Sequence, residues 1–67
     1  MSNLKTIRES KDLSQAKLAE ASGVSLRILQ YYEQGYKDIN KAQALTVYKL
    51  AQALESTVED LLELAEV

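Results

Sequence analysis

The chain has 67 residues, ten acidic against eight basic side chains for a net charge of −2, and neither cysteine nor histidine. A single domain, 1–67, is expected, with a thin core, because a domain of roughly 60 residues buries only about 60% of the surface its unfolded chain exposes. The missing residue types exclude disulfides, thiolate or imidazole metal sites, and catalysis by a thiol or an imidazole base, so no cofactor is expected.

Helix punctuation runs the length of the chain, and no alternating apolar pattern suggests strands. A first short helix begins around Leu4 and Ile7, capped by Ser2 or Asn3 and ending near Lys11 and Asp12. Leu13 anchors the turn. Ser14 caps a second helix from Gln15 to about Ala21, with Leu18 and Ala19 inward, and Gly23 stops it. Ser25 caps a third helix reaching about Gln34, where Gly35 repeats the stop signal. Ile39 reads as an inward plug, and Asn40 with Gln43 as a capping box opening a fourth helix from Lys41 to about Leu54. Its inward stripe is Ala44, Val47, Leu50, Ala51 and Leu54. Thr57 with Asp60, or Ser56 with Glu59, opens a fifth helix whose inward set is Val58, Leu61, Leu62 and Ala65. The expected fold is all-α, with five short helices.

Helices two and three, about 14–34, are joined by a very short turn containing glycine, the helix-turn-helix unit with which many regulators read DNA. Leu18, Val24, Leu29 and Tyr32 point inward. Leu26, Arg27, Gln30, Tyr31 and Gln34 are left outside. A guanidinium, amides and large apolar groups on one outer face are what readout of base edges in the major groove requires. An ordinary helical hairpin is the competing reading. It is weakened by the coincidence of Ala19, Gly23, Val24, Leu29 and a second glycine stop at one spacing.

The stretch LSQAKLAEASGVSLRILQYYEQG resembles the phage-repressor and Cro-like helix-turn-helix family, often called Xre-type, and TVYKLAQALESTVEDLL is similar to that family's fourth and fifth helices. The resemblance implies a compact five-helix domain that binds double-stranded operator DNA, usually as a homodimer, without enzymatic activity. It puts the phosphate clamp at Ser14 and Gln15, a helix N-terminus where an anion is favoured anyway. It puts base reading at Ser25, Leu26, Arg27, Gln30 and Tyr31. Arg27 can pair with guanine O6 and N7, a contact worth about 1–3 kcal/mol of discrimination. Leu26 is either an apolar contact to a thymine methyl or a spacer, and Tyr31 either a phosphate donor or a cover for its neighbours. Arg8 and Glu33 correspond to an ion pair read as structural. Lys37 and Lys41 fall where relatives touch the DNA backbone, or are simply solvated charges. The chain departs from the pattern at Asp12 and Glu55, where the family usually has helix-ending glycines, so those ends are expected to be looser or differently capped.

Charge is unevenly spread: residues 1–50 carry +3 and residues 51–67 carry −5, which suits one face approaching phosphates and another avoiding them. The acidic total implies affinity that fades near physiological salt. Leu45 and Tyr48 on helix four, with Leu64 and Val67 on helix five, lie off the core stripes and are candidates for a two-fold interface. They suit equally an alternative function, a protein-interaction module or antitoxin-like adaptor that keeps the fold. No apolar run approaches the roughly 20 residues that span a bilayer, and MSNLKTIRES has no signal-like apolar stretch, so a cytoplasmic protein with no membrane partner and no small-molecule substrate is expected.

Overall fold

The computed structural model describes residues 2–63, and these form five α-helices: α1 Asn3–Ser10, α2 Gln15–Ser22, α3 Leu26–Gln34, α4 Ala44–Leu54 and α5 Val58–Leu61, with a 3₁₀ turn at Ile39–Lys41 between α3 and α4. Side-chain oxygens satisfy the exposed N–H groups where four of these helices start. Ser2 accepts from the Lys5 amide, Ser14 from Lys17 and Ser25 from Ile28. Thr57 and Asp60 form a reciprocal capping box with both bonds at 3.2 Å.

The ends of the first four helices share one device, a left-handed residue. Gly23 ends α2 in the left-handed conformation with its amide on the Ala19 carbonyl at 2.9 Å. After α1, α3 and α4 the left-handed residue is Asp12, Gly35 and Glu55, with φ of 57°, 84° and 54°. In each of these three its amide bonds back to a carbonyl three residues earlier (Glu9, Tyr32, Gln52). The following amide bonds to a carbonyl five residues earlier: Leu13 to Arg8, Tyr36 to Tyr31 and Ser56 to Ala51. Asp12 and Glu55 are therefore not looser or differently capped, as expected, but held in the glycine conformation against the clash between Cβ and the carbonyl.

The core is built mainly of leucine. Leu4, Leu18, Leu29, Leu50, Leu54 and Leu61 are fully enclosed, joined by Val24, Ile39, Val47 and Ala51, and rimmed by Ile7, Leu13, Ala19, Ile28, Tyr32, Ala42, Ala53, Val58 and Leu62. Each element thus supplies one or a few apolar side chains to a common centre, the only economical arrangement for helices this short. α2 packs on α3 and α4, α1 on α3 and α5, and α4 on α5. Among the described residues no helix is long and apolar enough to cross a membrane.

Two boundaries differ from expectation, both through asparagine hydrogen bonds. α4 begins at Ala44 rather than Lys41, and Asn40 with Gln43 is not its capping box: Gln43 holds the N-cap position without a side-chain bond. The Asn40 amide bonds instead to the Asp38 carboxylate at 2.9 Å, closing the 3₁₀ turn. Its side chain brackets the Glu63 backbone, donating to the carbonyl at 2.9 Å and accepting from the amide at 2.8 Å. Ala44, the first residue of α4, is exposed rather than inward. α5 stops at Leu61, because Leu62 turns extended and its carbonyl accepts from the Asn3 side chain at 2.8 Å. Tertiary hydrogen bonds take the backbone groups that further helix would use. Leu64, Ala65 and Val67 lie outside the described residues.

Candidate nucleic-acid interface

The turn between α2 and α3 is three residues long, Gly23, Val24 and Ser25. A Cβ on Gly23 would meet nothing within 4 Å, so glycine is required there by its φ of 75° and not by crowding. Val24 is buried as the plug under the turn, and its amide bonds to the Ser22 hydroxyl at 3.2 Å. Leu18 and Leu29 meet beneath, with Ala19 and Tyr32 half-buried at the rim. Burying that side of α3 sets which residues remain outside. Ser25, Leu26, Arg27 and Gln34 are exposed, while Gln30 and Tyr31 are half-buried. Among the described residues no hydrogen bond or ion pair engages Arg27.

Behind this face lies a buried polar chain. Arg8 of α1 donates through Nε to Glu33 Oε2 at 2.7 Å and through Nη2 to Oε1 at 3.0 Å, while Nη1 donates to the Leu13 carbonyl at 2.6 Å. The arginine side chain is 10% exposed and the carboxylate 2%. Hydrogen bonding to Glu33 raises the guanidinium above its ordinary arginine value, with burial opposing and the nearby carboxylate charges assisting. Because the folded state holds that proton more tightly, the stabilisation contributed by the Arg8 proton is complete below the ordinary arginine range and is lost only as pH rises through the raised value, so Arg8 adds no pH dependence near neutrality.

Gln15, the first residue of α2, donates to Glu33 Oε1 at 3.0 Å, and Gln30 of α3 donates weakly to the Gln15 side-chain oxygen Oε1 at 3.4 Å. Sequence reasoning paired Arg8 with Glu33 and assigned Gln15 and Gln30 separate roles; it missed that Gln15 shares the Glu33 carboxylate with Arg8 and that Gln30 in turn bonds to Gln15. Spacing along the chain carries no signal for this sharing, because it depends on how α1, α2 and α3 cross. Ser14 is exposed, with its hydroxyl occupied as the α2 cap at 3.1 Å from the Lys17 amide.

Beyond the C-terminal end of α3, Lys37 and Lys41 border a shallow depression with Tyr32, Asp38 and Ala42. Asp38, the carboxylate that closes the 3₁₀ turn, dilutes their positive field. Tyr36 was not singled out from the sequence. Its ring meets Tyr31 edge to face, centroids 6.1 Å apart and planes at 88°. Its position immediately after a glycine stop was the available clue, since that residue regularly touches the last turn of the helix. The acidic α5 packs chiefly on α1 and α4, and Glu63, just beyond it, reaches the rim of a small hollow beside Gln34 and Gly35. Among the described residues no cluster of acidic side chains is arranged to hold a metal ion.

No curated protein matches the chain closely enough to count as a relative. The family model described as helix-turn-helix matches residues 4–61, which spans all five helices except for the first residue of α1. That family consists of DNA-binding regulators of the Xre, Cro and CI kind. The chain belongs to this helix-turn-helix family.

Proposed function

We propose that the chain is a sequence-specific transcriptional repressor that acts in the cytoplasm as a homodimer, placing α3 of each copy in the major groove of a short palindromic operator. The observation that carries this reading is Arg27, exposed and unengaged among the described residues at the leading turn of α3, with Ser25, Leu26, Gln30 and Tyr31 on the same side. Arg27 reads guanine, Gln30 an adjacent base edge, and Leu26 and Tyr31 supply apolar contact. Ser14, Gln15, Lys37 and Lys41 contact the backbone and fix the register. Gln15 comes to this role already oriented by Glu33, which lowers the ordering cost of the contact. Occupying an operator blocks access by exclusion, so repression needs no surface beyond the one that binds DNA.

Leu45 and Tyr48, 61% and 52% exposed on α4, support dimerisation. A two-fold axis through that face sets the recognition helices about 34 Å apart, one turn of DNA. The same two side chains, with the acidic total, favour a second reading in which the partner is a protein. An electrophoretic shift on mixed-sequence duplex at low salt separates the two. The regulator reading predicts a shift for the wild type and loss of sequence preference in Arg27→Ala. A wild-type protein that shifts no duplex sinks it and favours the protein partner.

A further inference from the structure

Tyr36 has 76% of its surface in water, more than Leu26, Leu45 or Tyr48, although its backbone is hydrogen-bonded to the end of α3. Its amide donates to the Tyr31 carbonyl at 2.9 Å, the Lys37 amide reaches the same carbonyl at 3.3 Å, and Gly35 before it is locked in the left-handed conformation. Its ring is held edge to face against Tyr31. An apolar contact between these two positions is a common companion of this kind of helix end, and it accounts for the covered edge of Tyr36. Any apolar side chain would serve there equally well. A phenol left three-quarters uncovered, beside a loop that otherwise exposes the polar side chains of Lys37, Asp38, Asn40 and Lys41, is not explained by capping.

We propose that Tyr36 is a DNA-backbone contact, its ring lying against a deoxyribose and its hydroxyl donating to a phosphate oxygen, with Tyr31 as the positioning residue that holds the ring edge-on. This rests on the reading of α3 as the recognition helix. Two features select DNA as the occupant. Tyr31 is continuous with the outward face of α3, one helical turn beyond Arg27, so a duplex seated on Arg27 runs on towards this end. Lys37 follows directly in the chain and Lys41 borders the same loop, an electropositive setting that Asp38 only partly offsets. Tyrosine hydroxyls are ordinary phosphate donors, and such contacts fix orientation without reading sequence. Being uncharged, Tyr36 displaces no condensed counterion. Its contribution therefore does not appear in the salt dependence of binding, whereas that of a lysine does.

The experiment is fluorescence anisotropy of a labelled mixed-sequence duplex of about two helical turns, titrated with the full chain at several salt concentrations. Tyr36→Phe keeps the ring and its contact with Tyr31 and removes only the donor. It is expected to weaken binding about 5-fold with an unchanged slope of log K against log salt. Tyr36→Leu keeps the helix-end contact and loses both ring and hydroxyl, and is expected to weaken binding further, again at constant slope. Lys37→Ala is expected to flatten the slope by about one unit. In the complex, nitration of Tyr36, located by peptide mass mapping, is expected to slow markedly relative to the free protein. Wild-type binding with Tyr36→Phe and Tyr36→Leu indistinguishable from it, or nitration as fast in the complex as in the free protein, overturns the contact while leaving α3 as reader. A wild type that binds no duplex overturns both.

Discussion

Replacing Glu33 with alanine removes two charge-assisted bonds to Arg8 and the acceptor for Gln15, and leaves a guanidinium that is 10% exposed with only the Leu13 carbonyl as partner. Breaking a buried pair from one side costs about 3–5 kcal/mol, because the surviving charge has lost both water and partner. A chain of 67 residues has about 3–10 kcal/mol in total at the usual stability per residue. The single replacement is therefore expected to consume at least about 30% of the stability, and at the lower end to unfold the protein in buffer. Urea unfolding followed by far-UV circular dichroism measures it, with a slope of about 1 kcal/mol per molar for so small a domain, so the midpoint should fall by about 3–5 M. Arg8→Met should cost less, since it strands a carboxylate that still accepts from Gln15. The double variant Arg8→Met/Glu33→Leu removes both charges and refills the space with apolar groups, and should recover most of the loss. A Glu33→Ala protein within 1 kcal/mol of the wild type, or a double variant as unstable as the sum of its parts, refutes the view that a desolvated pair fastens α3 to α1.

Asp12→Gly and Glu55→Gly relieve left-handed strain at φ of 57° and 54°; each should stabilise by about 0.5–1 kcal/mol after the greater unfolded-state entropy of glycine, raising Tm by roughly 2–8 °C in a scanning melt. Asn40→Ala removes both bonds to the Glu63 backbone; amide exchange at Glu63 should accelerate at least tenfold while the amides of Leu29 and Leu50 stay protected. Leu45→Glu combined with Tyr48→Glu, at positions 61% and 52% exposed, should leave the thermal midpoint nearly unchanged, lower the sedimentation coefficient to that of a monomer and weaken operator binding. Sedimentation identical to the wild type would remove that face from the dimer.

The local signals in the sequence were sound wherever a residue's partner lies within one turn. Ser14 and Thr57 cap their helices through amides three residues on, and Gly23 and Gly35 stop theirs through their own φ, so composition and spacing suffice to read them. Ile39 was recognisable as an isolated apolar residue in a polar loop, and it is buried. Reading failed where a distant partner competed for the same group. Asn40 carries a local capping pattern, yet the two backbone groups of Glu63, 23 residues away, draw its side chain off and start α4 three residues late. The same contact, with Asn3 on the Leu62 carbonyl, ends α5 sooner than its apolar pattern implies. At the interface helical periodicity picked out Leu26, Arg27 and Gln34, which are exposed, whereas Gln30 and Tyr31, read as outward too, are half-buried. The sharing of the Glu33 carboxylate by Arg8 and Gln15 depends on how α1, α2 and α3 cross, which spacing along one chain does not encode.

Selection of bound sequences from a random duplex pool tests most directly whether α3 reads bases. With the wild type, the pool is expected to converge on a two-fold symmetric sequence whose half-sites lie about one helical turn apart, and with Arg27→Ala to relax at one position in each half. A pool that passes through repeated rounds at low salt without enrichment, or that converges identically for both proteins, contradicts an α3 led by Arg27 in the major groove.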